Sequence, residues 1–171
     1  MAARADFQQL LEQETPALFR RALLLCHDWH LAEDLVQETA EKMLRQWKKV
    51  AAADNPGAYC QQILTNTFLA LTRKRGYHET PVDIFVPEQV DPWETIDTEL
   101  SVAKALASLA PLERAVVIGR YIDDLPVAKI ASLLSKSESW VRVTAHRSLK
   151  KLDTLESAPV RRDAKVGGAN A

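Results

Sequence analysis

The chain has 171 residues, and its 22 Lys and Arg nearly balance 23 Asp and Glu, leaving a formal charge of −1. That length suits one ordinary domain or two small ones. Apolar residues make up 47% and allow a buried core, while five Gly and 6% aromatics argue against a sheet-rich fold. The dominance of Leu, Ala, Glu, Lys, Arg and Gln favours helix, and the expected class is all-α. No apolar run approaches the roughly 20 residues of a membrane span, and the N-terminus lacks a signal-peptide pattern, so membrane insertion is not expected. Cys26 and Cys60 form no CxxC pair and read as buried, reduced thiols; a disulfide or metal pair is the minority alternative.

In chain order, periodicity predicts helices at about 5–26, 30–49 and 55–75. The second places Leu31, Leu35, Thr39, Met43, Trp47 and Val50 near one face, with Asp34, Glu38 and Glu41 together elsewhere. The third follows Asn55, Pro56 and Gly57, a turn and helix-start signal, and ends in Arg73, Lys74 and Arg75 before Gly76. A helix dipole favours cations at that end, so this triplet also has a purely structural explanation. Residues 79–99 then carry seven acids (Glu79, Asp83, Glu88, Asp91, Glu94, Asp97, Glu99), no Lys or Arg, and Pro81, Pro87 and Pro92. Three prolines in so short a stretch argue against a continuous helix, and the stretch reads as an acidic flexible linker between two small helical domains. The expected division is 1–77, a linker at 78–97, a second domain at 98–153 and a disordered tail at 154–171.

The second domain is expected to hold helices at about 97–109 and 111–122, with Val116, Val117, Tyr121 and Ile122 supplying buried surface. Residues 124–151, DLPVAKIASLLSKSESWVRVTAHRSLKK, read as a helix-turn-helix. Asp124 is the expected N-cap, with Pro126 near the first turn, and Val127, Ile130, Ala131 and Leu134 form an apolar stripe. A turn at Ser135, Lys136 and Ser137 follows, and Ser137 is placed to cap the next helix. There Val141, Ala145, Leu149 and Leu152 face inward, which turns Ser139, Arg142, Val143, His146, Arg147 and Lys150 outward. Five Lys or Arg against one Glu over 136–151 suits a reader of phosphate; the plainer alternative is a basic solvated helix in a bundle.

The run at 30–39, HLAEDLVQET, followed by Trp47, resembles the most recognisable segment of bacterial RNA polymerase sigma factors. The specific resemblance is to the extracytoplasmic-function (ECF) group, which keeps only the second and fourth conserved regions. Asn66, the segment Pro111, Leu112, Glu113, Arg114 and the helix-turn-helix all fall in register, and the resemblance covers about residues 6 to 152. It implies a sigma factor that binds core polymerase and directs promoter-specific initiation, with no catalytic residue, metal or cofactor of its own.

The resemblance also implies roles. Asp34, Gln37, Glu38 and Glu41 would grip the β′ clamp helices of core polymerase, with the β flap as a further contact; the alternative is a solvated acidic face. Trp47 reads as core rather than interface. For the −10 element, Asn66 has the amide to pair with a flipped base, and Asn55 lies in the 51–57 loop that selects it. Tyr59 stands where relatives usually have Trp, Arg73, Lys74 and Arg75 would hold phosphates, and Gln61 and Gln62 replace arginines. For the −35 element, Arg142, His146 and Arg147 would reach base edges beside Ser139 and Val143, with Lys136 and Lys150 on phosphates. Ser135 replaces a glycine usual at the turn; Trp140 replaces a small residue and either packs on the turn or touches DNA. The seven linker acids could mimic nucleic acid in the polymerase channel or simply keep the linker soluble. An anti-sigma protein is an expected partner, and the cytoplasm, in association with the nucleoid, the expected location.

Two other readings compete. A stand-alone helix-turn-helix regulator would bind duplex DNA as a symmetric dimer without polymerase. An enzyme reading rests on His27, Asp28 and His30, but the remaining histidines, His78 and His146, offer no second ligand set.

Overall fold

The computed structural model describes residues 2–75 and 96–156. Among the described residues the chain is all-α, with no strand: α1 (Ala2–Cys26), α2 (Trp29–Arg45), α3 (Trp47–Ala51), α4 (Pro56–Arg75), α5 (Ile96–Ala107), α6 (Pro111–Val117), α7 (Val127–Leu134) and α8 (Glu138–Glu156). Helix α6 continues into a π turn over Ile118–Ile122. Residues 76–95, which include most of the expected linker at 78–97, and the tail from 157 lie outside the described residues, so neither reading of the acidic linker is addressed by the fold.

Helices α1, α2 and α4 pack on one another and bury Leu18, Leu25, Leu35, Met43, Leu64 and Phe68 almost completely. Burying a Leu or Phe side chain contributes about 1.5–3 kcal/mol, so this apolar set is what holds the first unit together. Helix ends are set locally. Asp28 is extended and its Oδ1 accepts the Leu31 N–H at 2.9 Å, which starts α2. Asn55 Oδ1 accepts the Ala58 N–H at 3.0 Å, and Pro56 follows at the first position of α4. In the second unit α6, α7 and α8 enclose Val116, Ile118, Ile130 and Val141. The two cores are continuous: α5 and α6 lie on α1, and α6 also meets α4.

Three local expectations are corrected. The helix expected at 30–49 breaks at Gln46 (φ −106°, ψ 18°) and restarts as α3. The break lets the Trp47 indole meet Phe7 edge-on, with centroids 5.5 Å apart, so Trp47 is half-buried core as expected. Tyr121 and Ile122 are each 50% exposed instead of buried. The Asp123 N–H donates to the Ile118 carbonyl at 2.9 Å, an i→i+5 bond, and the widened turn swings both side chains outward. Gly119 sits inside this turn against α7; a Cβ there would lie 3.3 Å from Ile130 Cγ1, so glycine permits the close approach.

Asp124 does not cap α7. It adopts a left-handed conformation (φ 55°), and Pro126 occupies the cap position without a side-chain bond. The Leu125 N–H donates to the Gly119 carbonyl at 2.9 Å, so the chain reverses before the helix starts and carries Asp124 away from its end. The turn between α7 and α8 follows expectation. Ser135 is left-handed (φ 53°, ψ 44°), and Ser137 Oγ accepts the Trp140 N–H at 3.1 Å.

Candidate functional site

Helix α8 presents its polar side as the sequence predicts. Val141 and Ala145 are buried, Leu149 and Leu152 are half-buried, and Thr144 and Ser148 join the inward face. Ser139, Arg142, Val143, His146, Arg147 and Lys150 are all exposed, giving one continuous outward row. Arg142 lies 3.0 Å from Glu138 one turn earlier, an exposed pair of little worth. Lys136 Nζ lies 5.3 Å over the Trp140 ring. Trp140 is half-buried and packed against the core, so the structure places it on the turn. Lys151 is committed elsewhere: its Nζ donates to Glu113 at 2.7 Å and 3.0 Å, tying α8 to α6. Partial burial opposes ionisation of Glu113, but Lys151 and the Ala110 N–H outweigh it and hold the carboxyl below its usual range.

Helix α2 carries a second surface. Asp34, Gln37, Glu38 and Glu41 are all exposed, opposite the buried Ala32, Leu35, Thr39 and Met43. Glu38 and Glu41 pair along the helix with Lys42 (3.2 Å) and Arg45 (3.8 Å), leaving Asp34 and Gln37 at the head of the patch. Sequence reasoning missed Leu44, which is 56% exposed beside Glu41 and is the largest outlying apolar group of this helix. Its signal was legible: position 44 falls off the Leu35, Thr39, Met43 stripe.

Helix α4 is more divided. Asn66, Arg73 and Lys74 are exposed, while Arg75 ends the helix and its side chain lies outside the described residues. Asn55 is exposed but caps the helix, and the half-buried Tyr59 donates its hydroxyl to Gln46 Oε1 at 3.4 Å. Gln61, Gln62, Thr65 and Asn66 do not face open solvent alone. They line a cleft of about 190 Å³ whose other wall is Gly119, Leu125, Ile130 and Leu134 of the second unit.

Of the groups behind the enzyme reading, Asp28 and His27 have structural tasks and His30 is exposed. Asp28 caps α2, and His27 is buried at the end of α1 in a left-handed conformation (φ 42°), with Nδ1 3.2 Å from Arg114 Nη1. Burial first, and the Arg114 charge second, push the His27 pKa down to about 4 against the pull of Asp28, so the ring is neutral at ordinary pH. Burial likewise pushes the Cys26 thiol up to about 12 and the Cys60 thiol up to about 11, and both are free, as expected.

Comparison with known proteins decides what these surfaces belong to. Residues 10–77 match the model of sigma-70 region 2, and residues 99–152 match that of sigma-70 region 4. The RNA polymerase sigma-E factor of Streptomyces avermitilis is 29% identical over 158 residues, covering 89% of this chain and 86% of that one. The ECF RNA polymerase sigma factor SigE of Mycolicibacterium smegmatis is 30% identical over 161 residues, covering 88% and 62%. The chain belongs to the ECF sigma factors. A solved structure of the sigma factor RpoE in complex with the anti-sigma factor NepR from Bartonella quintana superposes with a TM-score of 0.67 at 25% identity, covering 90% of this chain and 98% of that one. As a sigma factor, the chain directs promoter-specific transcription by RNA polymerase. The first half matches sigma region 2, not a dimerisation or ligand domain, which disfavours the stand-alone regulator.

Proposed function

We propose that the sigma factor divides its work among the three surfaces. Asp34, Gln37, Glu38 and Glu41, with Leu44 one turn beyond Glu41 at the edge of the patch, bind the β′ clamp helices of core polymerase. A row of exposed carboxylates with an apolar group at its end suits a basic partner helix. Asn66 takes a flipped base of the −10 element, with Asn55, Tyr59, Arg73, Lys74 and Arg75 around it. Lys136, Ser139, Arg142, Val143, His146, Arg147 and Lys150 read the −35 duplex. The boundaries 1–77, 78–97 and 98–153 separate these tasks, with 154–171 as a tail, and the linker length, at most about 70 Å when extended, lets one chain reach both elements. The observation that carries this reading is the unbroken exposed basic row of α8 on the same chain as the exposed acidic patch of α2.

The chemistry belongs to the polymerase, and the chain itself is a non-enzymatic regulator of the cytoplasm, associated with the nucleoid when bound. Because RpoE is held by an anti-sigma factor, a similar protein is proposed as a partner here. The test is to mix purified chain with core polymerase and genomic DNA fragments and map the transcription starts. Asp34→Arg should abolish co-purification with core enzyme while leaving the helical content intact. Retained binding by that variant would defeat the assignment of α2.

A further inference from the structure

The break at Gln46 shapes a surface that none of the assigned faces uses. Because α3 leaves the axis of α2 there, Trp47 meets Phe7 of α1, and a groove of about 1220 Å³ lies between the start of α1 and the α2–α3 break. Arg4, Phe7 and Leu11 line it from α1, at helical spacing. Leu44, Arg45, Trp47, Lys48 and Lys49 line it from the other side.

The groove is apolar at its base and positive around it. Phe7, Leu11 and Trp47 are half-buried, and Leu44 is 56% exposed. Arg4, Arg45, Lys48 and Lys49 are all exposed, and among the described residues no carboxylate lines the groove with them. Among those residues Arg4, Lys48 and Lys49 make no ion pair, and Arg45 has only its exposed 3.8 Å contact with Glu41. Cations gathered around one concavity repel one another, and an anionic occupant relieves that repulsion. The carboxylate row of α2 lies on the neighbouring face, so the two surfaces select partners of opposite charge and meet only at Leu44.

Shape narrows the occupant further. Small-molecule pockets hold roughly 300–1,000 Å³, and this groove is larger and open to solvent. The Phe7 and Trp47 rings stand at 87° to each other, so they cannot sandwich a base between them. An amphipathic helix fits better, with an apolar stripe for Phe7, Leu11, Leu44 and Trp47 and acidic flanks for the cations.

We propose that this groove docks an acidic amphipathic helix of a partner protein, at a site separate from the carboxylate row assigned to core polymerase. The probe is a fluorescein-labelled peptide of about 16 residues, with Leu at every third or fourth position and Glu elsewhere, titrated by anisotropy into the full chain. Its companions are a scrambled isomer and the same pattern with Lys in place of Glu. The patterned acidic peptide should bind, and should weaken as salt is added. In the double variant Arg4→Glu with Lys48→Glu it should lose at least roughly tenfold in affinity. The scrambled and basic peptides should fail to bind. Both substituted positions are exposed, so circular dichroism and co-purification with core polymerase should be unchanged in the variant.

Hydrogen exchange locates the peptide, which should slow exchange in α3 and the first half of α1. Protection that falls on the basic α8 instead overturns the proposal. So does equal binding of the scrambled isomer, full binding to the double variant, or loss of core polymerase from that variant, which would make the groove part of the polymerase site. Competition tests the other occupants. Displacement of the probe at lower concentration by an oligothymidine strand gives the groove to nucleic acid, and displacement by a peptide of residues 79–99 gives it to the chain's own acidic segment. Dimers in sedimentation that the double variant dissolves give it to a second copy. Any of the three overturns the partner helix.

Discussion

Helices α8 and α4 are both assigned to DNA, and the structure treats them differently. The outward row of α8 is exposed along its whole length, since its buried side already satisfies α6 and α7. On α4 the exposed Asn66, Arg73 and Lys74 adjoin glutamines half-buried against the other unit. A polar helix face is therefore not a free surface by virtue of composition. Whether it is free depends on what tertiary contact leaves over, and here the buried Arg114 draws the second unit onto the first.

The sharpest way to break that contrast is at Arg114. Arg114→Met removes its bonds to the Leu109 and Leu25 carbonyls and should cost about 2–4 kcal/mol in urea denaturation. Hydrogen exchange should rise along the Gln61, Gln62 face of α4 and stay unchanged on the outer face of α8. His27 probes the same joint through pH. Its folded pKa of about 4 lies below the ordinary 6.5, so its neutral form stabilises the fold fully above pH 6.5, and this is lost as pH falls towards 4. The loss should reach about 3 kcal/mol by pH 4. Thermal melts across that window should show it, and His27→Asn, which keeps an acceptor and tolerates the left-handed backbone, should flatten the slope.

On α8, whose outward row is exposed, substitution should act directly. Arg142→Ala or Arg147→Ala should weaken holoenzyme binding to a mapped promoter by about 1–3 kcal/mol and relax base choice. Lys150→Ala should weaken all sequences alike and reduce the salt slope by about 1, measured by titration at several salt concentrations. The smallest effect is expected at the turn that aims α8. Ser135→Gly relieves a left-handed serine and should raise the melting free energy by about 0.5–1 kcal/mol without changing promoter preference. A decrease would show that Ser135 contributes something besides the turn.

Much of this was written in local pattern. The all-α class, the Ser137 cap, the exposed row of α8 and the acidic patch of α2 each follow from helical spacing and the burial of apolar faces, which depend on near neighbours in the chain. Arg114 stands beside Glu113 in the segment Pro111–Val117, and nothing in that local pattern marked it for burial. What it would reach was not legible. The Trp47–Phe7 contact at the Gln46 break and the covered side of α4 arise between residues far apart in sequence. The π turn that turns Tyr121 and Ile122 outward and the loss of the Asp124 cap come from nearby backbone bonds, Asp123 to Ile118 and Leu125 to Gly119, that helical periodicity does not register. Periodicity tells which face of a helix must leave water. Only the packed chain decides whether an arginine on one unit finds an open helix end on another, because that bond exists only once both ends are in place.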